Sequence, residues 1–333
     1  MLTRRLGRSG PLVSALGLGC MGMSDFYGPA DEGESIATVH AALDAGVTLL
    51  DSGDFYGMGH NEMLLSRALA GRPRDSYVLS VKFGAQRTPA GQFIGIDSRP
   101  AAVKTALAYS LKRLGTDYID IYRPARLDPA VPIEETAGAV AEMIEAGYVR
   151  HLGLSEMSAD TVRRANAVTP VVDLQIEYGL LTRTIEARTL PGLRELGVGL
   201  TAYGVLSRGL LSDNRPSGDR RDDFRTHSPR FQGDNYRRNL SLVEAVGEIA
   251  RAKGATVAQV AIAWALSRGG DIVPLVGARR PERLAESLKA LDLTLTAEDV
   301  AALEAAAPPA AVAGERYDAH QMTTLDSERD RIQ

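Results

Sequence analysis

Short apolar stretches alternate with amphipathic helical stretches along most of this chain of 333 residues. Counting from Leu16, eight stretches have the pattern of strands, and each is followed by at least one predicted helix. The predicted strands are apolar on both faces, which is typical of parallel strands covered by helices. Eight such units in a chain of this length predict an α/β fold, a (β/α)8 or TIM barrel.

The pattern also predicts where each element lies. The predicted strands cover residues 16–19, 47–50, 77–81, 118–122, 149–154, 171–175, 199–203 and 272–276. The predicted helices cover residues 35–45, 61–70, 100–114, 133–146, 159–167, 183–196, 240–253, 257–267 and 281–291. Residues 2–13 are predicted to form an N-terminal β-hairpin around the turn Arg8-Ser9-Gly10-Pro11.

The alternative to a barrel is an open, doubly wound sheet. The first strand is not followed by a G-x-G-x-x-G motif, and no midpoint change in composition marks a second domain. We therefore expect one barrel domain over residues 1–333, with a C-terminal tail from about residue 307.

Three segments are longer than ordinary connections, at about 84–99, 207–236 and 307–333. Each follows a strand or ends the chain, so all three are expected at the C-terminal face of the barrel, as walls of a substrate pocket. The stretch 213–238, rich in Arg, Asp, Gly and Ser, is predicted to be mobile.

Composition narrows the class of protein. The formal net charge is −4, which does not favour nucleic acid as a partner, and a single Cys cannot form an internal disulfide. No Cys/His spacing suggests a metal site, no apolar run approaches a membrane span, and the first residues lack a secretory signal. We expect a cytoplasmic protein with a small-molecule substrate, and its oligomeric state stays open.

The clearest candidate chemistry lies where two predicted strands end. Asp51 follows one strand, Tyr56 lies five residues later, and Lys82 follows the next strand. Parallel strands bring such residues to one edge, where catalytic groups of barrels are found. A nearby ammonium is expected to lower the pKa of the phenol, and a carboxylate holds that ammonium. The trio predicts a proton donor for a carbonyl oxygen that receives a hydride.

Several motifs surround these three residues along the chain: Asp51-Ser52-Gly53-Asp54-Phe55-Tyr56-Gly57 with Asn61-Glu62-Met63-Leu64-Leu65, Lys82, Gly153-Leu154-Ser155, Gln175-Ile176-Glu177-Tyr178, Ala202-Tyr203, Arg208-Gly209-Leu210-Leu211 and Pro274-Leu275-Val276-Gly277-Ala278-Arg279. With these motifs the chain resembles the aldo-keto reductase family over about residues 3–306. The motifs occur in the family's order and are jointly specific.

The resemblance implies a barrel that binds NADPH without a Rossmann fold. It implies Tyr56 as the proton donor backed by Lys82 and Asp51. For the cofactor it implies Ser155 and Gln175 at the carboxamide, Tyr203 stacked on the nicotinamide, Leu206, Arg208 and Gly209 along the pyrophosphate, Ala278, Arg279 and Arg283 at the 2′-phosphate, and Glu286 and Ser287 at the adenine. Met21 and Gly277, at strand ends, are assigned to the same cofactor site.

One departure from the family bears on activity. The family usually has a His after the fourth strand, but the run here is Arg123-Pro124-Ala125-Arg126, with Ala125 at that position. Glu156 also replaces the usual Asn beside Ser155. Loss of a donor to the carbonyl oxygen commonly costs a few kcal/mol of transition-state stabilisation.

Three interpretations of Ala125 stay open. In the first, the vacated space accommodates a bulkier ketone or quinone-like substrate, with Ala125 and Arg126 in the substrate pocket. Arg123 or Arg126 supplies the missing donor in the second. In the third, the chain is an NADPH-binding or redox-sensing barrel with little turnover. We favour an active NADPH-dependent aldehyde or ketone reductase, because Tyr56, Lys82 and Asp51 occur together.

Overall fold

Eight parallel strands close into a barrel in the computed structural model, which describes residues 1–212 and 223–331. With the four strands of two separate hairpins, the described strands are β1 Thr3–Arg5, β2 Leu12–Ser14, β3 Gly17–Gly19, β4 Leu49–Gly53, β5 Val78–Phe83, β6 Ala85–Arg87, β7 Phe93–Ile96, β8 Ile119–Pro124, β9 Val149–Ser155, β10 Val171–Glu177, β11 Gly199–Tyr203 and β12 Ile272–Gly277. Around the barrel the order is β3, β4, β5, β8, β9, β10, β11, β12 and back to β3. The predicted (β/α)8 fold is confirmed.

Helices cover the outside of the barrel. They are α1 Glu32–Asp44, α2 His60–Ala68, α3 Pro100–Leu114, α4 Ile133–Glu145, α5 Ala159–Val168, α6 Thr189–Leu196, α7 Gly233–Ala252, α8 Val257–Ser267, α9 Pro281–Leu288, α10 Ala297–Ala306 and α11 Ala319–Thr323. Among the described residues, none of the helices is both long and apolar enough to span a bilayer.

The predicted N-terminal hairpin is formed by β1 and β2, which pair antiparallel. Its Leu6 and Val13 are buried against Leu49, Ile121 and Val172 from the barrel strands, so the hairpin closes the barrel end at which the strands begin. The opposite end, where the strands finish, is left for the site.

Local sequence signals explain several helix boundaries. Helix α3 begins with Pro100, whose fixed φ suits the first helical position, and ends at Gly115 in the left-handed conformation. Thr256 and Gln259 form a capping box at the start of α8. The predicted bounds of α3 and α8 are therefore confirmed at both ends.

Other predicted bounds were wrong by a few residues or more. β4 and β5 extend to Gly53 and Phe83, so Asp51 and Lys82 lie inside strands rather than after them. The predicted helix 183–196 divides into a 3-10 turn and α6, and α7 begins at Gly233, seven residues before the predicted start. Sequence periodicity missed α10 and the β6–β7 hairpin, whose strands are only three and four residues long.

The three long segments reach the barrel end where the strands finish. Residues 84–99 form the β6–β7 hairpin, and described parts of 207–236 and 307–331 contribute side chains to the same cavity. Of the stretch predicted to be mobile, residues 213–222 lie outside the described residues. Residues 223–238 form two 3-10 turns and the start of α7.

An ion pair lies inside the barrel. Arg123 of β8 and Asp173 of β10 are fully buried, with 3.1 Å between Nη2 and Oδ2. Arg123 also donates to Ser80 Oγ and to the carbonyl oxygen of Leu154. The pair and these two hydrogen bonds link four strands, β5, β8, β9 and β10, across the barrel interior.

Replacing Arg123 with Met should leave the Asp173 carboxylate buried without its cation. Breaking one partner of a buried pair typically costs about 3–5 kcal/mol, so we expect a loss of that size in the free energy of unfolding measured in urea. The matched control is Arg164→Met, which breaks an exposed pair with Glu134 and should cost about 1 kcal/mol or less. Equal losses in the two variants would contradict a structural role for the buried pair.

Candidate active site

A cavity of about 920 Å³ opens at the barrel end where the strands finish. The residues that sequence analysis assigned to catalysis, the cofactor and the substrate pocket all line it: Met21, Asp51, Tyr56, Lys82, Ala125, Arg126, Ser155, Gln175, Tyr203, Leu206, Arg208, Gly209, Gly277, Ala278, Arg279, Arg283, Glu286 and Ser287. The structure thus brings residues from the ends of all eight barrel strands and from the loops after them to one place. Among the described residues, no group of His, Cys, Asp or Glu that could hold a metal ion is present.

Asp51, Lys82 and Tyr56 lie together at one side of this cavity. Asp51 of β4 pairs in register with Ser80 of β5, and Gly53 pairs with Lys82. Side chains of alternate residues share one face of a strand, so both charged groups point to the same side and form a buried ion pair. The Lys82 ammonium lies 5.3 Å from the centre of the Tyr56 ring.

The carboxylate of Asp51 is fixed from several directions. Ser80 Oγ donates to Asp51 Oδ2 over 2.8 Å, and Gln175 Nε2 donates to the same oxygen over 2.7 Å. Lys82 Nζ donates a hydrogen bond to the other carboxylate oxygen, Oδ1. Gln175, which sequence analysis assigned to the nicotinamide carboxamide, holds the Asp51 carboxylate through its amide nitrogen.

The predicted lowering of the Tyr56 pKa was wrong. Burial raises the pKa of Tyr56 well above 10, and the negative charge of Asp51 raises that pKa further. The positive charge of Arg126 lowers the pKa of Tyr56 but does not outweigh these effects. Burial also lowers the pKa of Lys82, against the raising effect of Asp51. The phenol therefore keeps its proton at neutral pH.

Arg123 and Arg126 lie on either side of Ala125 in the sequence, but their side chains point to different places. Ala125 lines the cavity, and its backbone N–H donates to the carbonyl oxygen of Phe83 over 2.8 Å. Arg123 points into the barrel interior towards Asp173, so it does not reach the cavity and the prediction that it could supply the missing donor was wrong. Arg126 does line the cavity.

The far end of the cavity is formed by the end of β12 and the first turns of α9. Arg279 Nη1 donates to the carbonyl oxygens of Gly28 and Gly22 over 3.1 and 3.4 Å, which ties this end to the β3–α1 loop. Arg283 pairs with Glu286 one turn later on α9, over 3.0 Å. Both arginines border the cavity near a helix N-terminus, where an anion is electrostatically favoured.

The C-terminal segment closes one wall of the cavity, and sequence analysis missed its residues. Arg316 is buried and pairs with Glu156 and Glu328, while Tyr317 borders the cavity. The hydroxyls of Tyr317 and Tyr203 are 2.9 Å apart. A search restricted to strand ends could not find these residues, and the presence of one long C-terminal segment was the available signal.

Comparison with known proteins identifies the family. A sequence model of the aldo/keto reductase family matches residues 15–308. The chain belongs to the aldo/keto reductase family.

Several solved structures are similar to this aldo/keto reductase. The glycerol dehydrogenase from Gluconobacter oxydans is 31% identical with a TM-score of 0.82, over 92% of this chain and 96% of that one. A thermostable aldo-keto reductase solved with the inhibitor epalrestat is 30% identical with a TM-score of 0.74, over 92% and 100%. An aldo-keto reductase from Bacillus halodurans in its holo form is 28% identical with a TM-score of 0.78, over 93% and 97%.

Family membership makes this chain an oxidoreductase of small-molecule carbonyl compounds. Aldo/keto reductases use a nicotinamide dinucleotide, NADH or NADPH. The same resemblance was stated from the motifs alone, and the family match confirms it.

Glu156, which stands where this family usually has Asn, is bound to the C-terminal segment. Burial alone would raise its pKa, but the Arg316 guanidinium holds the pKa of the Glu156 carboxyl well below its usual range. Glu156 Oε1 accepts from Tyr203 Oη over 2.7 Å and from Arg316 Nη1 over 2.8 Å. The replacement thus creates an anchor for the segment that carries Tyr317.

Glu156→Gln should remove the stabilisation that this ionised carboxyl provides. We expect a loss of about 3 kcal/mol in the free energy of unfolding near neutral pH, because Arg316 loses its closest anion. A carboxyl whose pKa is depressed in the folded state stabilises above its unfolded pKa of about 4.5, and the effect falls away below that pH. The difference between wild type and variant should therefore shrink between about pH 6 and pH 3.

The control is Glu134→Gln, which affects an exposed pair with Arg164 and should change stability by about 1 kcal/mol or less at either pH. A wild-type advantage over Glu156→Gln that stays constant down to pH 3 would contradict the anchoring role of the charge.

Proposed function

We propose that this protein is an NADPH-dependent reductase of aldehydes or ketones, reversible as an alcohol dehydrogenase. The observation that carries the proposal is the buried phenol of Tyr56, which borders the cavity beside the Asp51–Lys82 ion pair. A buried tyrosine with a raised pKa is a poor acid towards water. It is a competent donor towards an alkoxide, whose oxygen is far more basic than a phenolate.

In this proposal each residue of the trio has one task. A bound nicotinamide dinucleotide supplies the hydride that reaches the carbonyl carbon. Tyr56 donates its proton to the carbonyl oxygen, and Lys82 faces the ring of the phenolate that is left. Asp51 accepts a hydrogen bond from the Lys82 ammonium, which orients it, and the negative charge of Asp51 raises the pKa of Lys82.

The residues at the barrel centre fit a nicotinamide carboxamide. Among the described side chains, Ser155 Oγ is buried without a hydrogen-bond partner, and it borders the cavity. A buried hydroxyl without a partner is costly, and an amide in the cavity would satisfy it. We assign Ser155 and the carbonyl group of Gln175 to the carboxamide, and the ring face of Tyr203 to the nicotinamide.

The remainder of the dinucleotide would follow the cavity towards α9. We assign Met21, Leu206, Arg208, Gly209 and Gly277 to the middle of the cofactor, and all five border the cavity. The 2′-phosphate is assigned to Arg279, Arg283 and the backbone at Ala278, and the adenine to Glu286 and Ser287. Guanidinium groups bind phosphate through paired donors, which supports NADPH over NADH.

A second function stays open because of Ala125. A methyl group cannot donate to a carbonyl oxygen, so the usual second donor is missing from that position. This observation favours an NADPH-binding or redox-sensing barrel with weak turnover as the alternative.

Tyr56→Phe should separate the two functions. We expect wild-type protein to oxidise NADPH, followed by absorbance, with members of a panel of aldehydes, ketones and diketones. The variant should lose turnover by about 10²–10⁴-fold while still binding NADPH, because only the transferable proton is removed. Tyr109→Phe, on an exposed residue of α3, serves as the control and should turn over like wild type. Tight NADPH binding with no turnover of any carbonyl by wild type would instead establish the binding function.

Nucleotide choice gives an independent prediction. Arg283→Met should weaken NADPH binding by roughly tenfold or more and NADH binding much less, because only NADPH carries the 2′-phosphate. Calorimetric titration of both nucleotides measures this directly. Arg72→Met, which breaks an exposed pair with Asp44 away from the cavity, should leave both affinities unchanged. Equal weakening of the two nucleotides would refute the phosphate assignment.

A further inference from the structure

Arg126 is a positively charged residue in the cavity wall whose charge is not balanced by a neighbouring carboxylate. Among the described residues, none has a carboxylate oxygen within 4.0 Å of its guanidinium. Its two protein hydrogen bonds go to neutral oxygens, from Nη1 to Ala125 O over 2.6 Å and from Nη2 to Tyr317 Oη over 3.3 Å. A guanidinium has five N–H donors, so three are left for a ligand.

Six other cations of the cavity differ from Arg126 because they pair with carboxylates: Lys82 with Asp51, Arg87 with Asp25, Arg208 with Glu177, Arg225 with Asp223, Arg280 with Glu34 and Arg283 with Glu286. Arg279, beside α9, donates to the carbonyl oxygens of Gly22 and Gly28. At the Tyr56 end of the cavity, Lys82 and Arg87 are therefore neutralised in pairs. The charge of Arg126 is left for whatever occupies the cavity.

Carboxylates near the C-terminal wall are committed to other partners. Glu156 is held by Arg316, and Asp318 accepts from the backbone N–H of Gln321 over 2.9 Å as the N-cap of α11. Neither turns to Arg126 within ion-pair distance. The methyl of Ala125 beside it leaves the space that a histidine would fill.

The guanidinium is nevertheless held in place. Glu156 can only accept, so Tyr203 donates to it, Tyr317 donates to Tyr203, and Arg126 donates to Tyr317. This one-way chain of hydroxyls orders Arg126 without neutralising it. The same charge is felt at the proton donor, because Arg126 is the cation that lowers the pKa of Tyr56 against the effect of burial.

The cavity around this end is otherwise largely apolar. Its walls include Phe26, Tyr27, Phe55, Phe93, Ile96 and the ring of Tyr317. A substrate that fits such walls has an apolar or aromatic body. An anionic group on that body would meet Arg126, the unneutralised cation at this end.

From this arrangement we infer that the substrate is a 2-oxo carboxylic acid with an apolar or aromatic side chain, bound through its carboxylate to Arg126. Arg126 and Tyr56 border the same cavity, and the carboxylate and carbonyl of such an acid are on adjacent carbons, so the carboxylate is assigned to Arg126 and the carbonyl oxygen to Tyr56. Arg126 is thus a specificity-determining residue next to Ala125, which occupies the usual histidine position. This inference rests on the proposed reductase function and names its substrate class.

The reaction balances with the groups already named. The carbonyl carbon gains a hydride from the nicotinamide, and the electron pair of the C–O π bond moves to oxygen. That oxygen takes the proton of Tyr56, so the 2-oxo acid becomes a 2-hydroxy acid and NADPH becomes NADP⁺. Solvent then returns a proton to Tyr56, and Arg126 holds the unchanged carboxylate throughout.

The test compares phenylglyoxylate with its methyl ester, two substrates that differ mainly in charge. Wild type should prefer the acid by at least about tenfold in kcat/KM, since a forked guanidinium recognises a carboxylate. Arg126→Met should lower kcat/KM for the acid by roughly 100-fold and abolish or reverse the preference. Arg126→Lys, which keeps the charge but not the fork, should retain part of it.

Arg87→Met is the matched control, because Arg87 is also a cavity arginine but is paired with Asp25. It should change both substrates by a similar factor and preserve the ratio of acid to ester. A wild-type enzyme that reduces the ester as well as the acid, or an Arg126→Met variant that loses both equally, would overturn the inference.

A binding measurement keeps the inference separate from the proposed function. Calorimetry of mandelate in the presence of NADP⁺ should show binding to wild type and a loss of affinity of roughly tenfold or more in Arg126→Met. If mandelate binds in this way but no carbonyl is reduced, the carboxylate site stands and the reductase function fails. If mandelate binds both proteins equally, the carboxylate site is wrong whatever the turnover.

Discussion

The buried ion pair between Asp51 and Lys82 is the interaction on which the candidate site depends. Each charge alone would be costly at this depth in the barrel, and each is tolerated because the other lies against it. The register of β4 and β5 fixes the pair, while Ser80 of β5 and Gln175 of β10 hold the carboxylate. The charges of Asp51 and Lys82 thus balance each other beside Tyr56. In our proposal Tyr56 keeps its proton until a strongly basic oxygen forms next to its hydroxyl.

A second group of buried charges performs a different task at the rim. Glu156, in the left-handed conformation at the end of β9, receives Arg316 from a part of the chain 160 residues away. This contact brings Tyr317 to the cavity wall and orders the hydroxyls of Tyr203 and Tyr317. Unlike the Asp51–Lys82 pair, this second group includes a cation without a carboxylate partner within ion-pair distance among the described residues. That cation is Arg126, which borders the cavity.

Much of the fold followed from sequence because the alternation of strands and helices is a local pattern. Proline and the capping box fixed the bounds of α3 and α8, and the ends of the strands gave the cavity residues. The pKa of a side chain and the direction in which it points depend on its three-dimensional surroundings, so the local sequence pattern does not predict them. Burial reversed the predicted pKa shift of Tyr56, and the inward side chain of Arg123 left only Arg126 at the cavity. Arg316 and Tyr317 were missed because no periodic pattern marks a tail that folds back over the barrel.

The most direct test of the account is a crystal structure with NADPH and a carbonyl analogue that cannot react. The account predicts the nicotinamide against Tyr203, its carboxamide at Ser155 Oγ, and the analogue's oxygen within hydrogen-bond distance of the Tyr56 hydroxyl. A dinucleotide bound elsewhere on the barrel, or an analogue whose oxygen is out of reach of Tyr56, would contradict it.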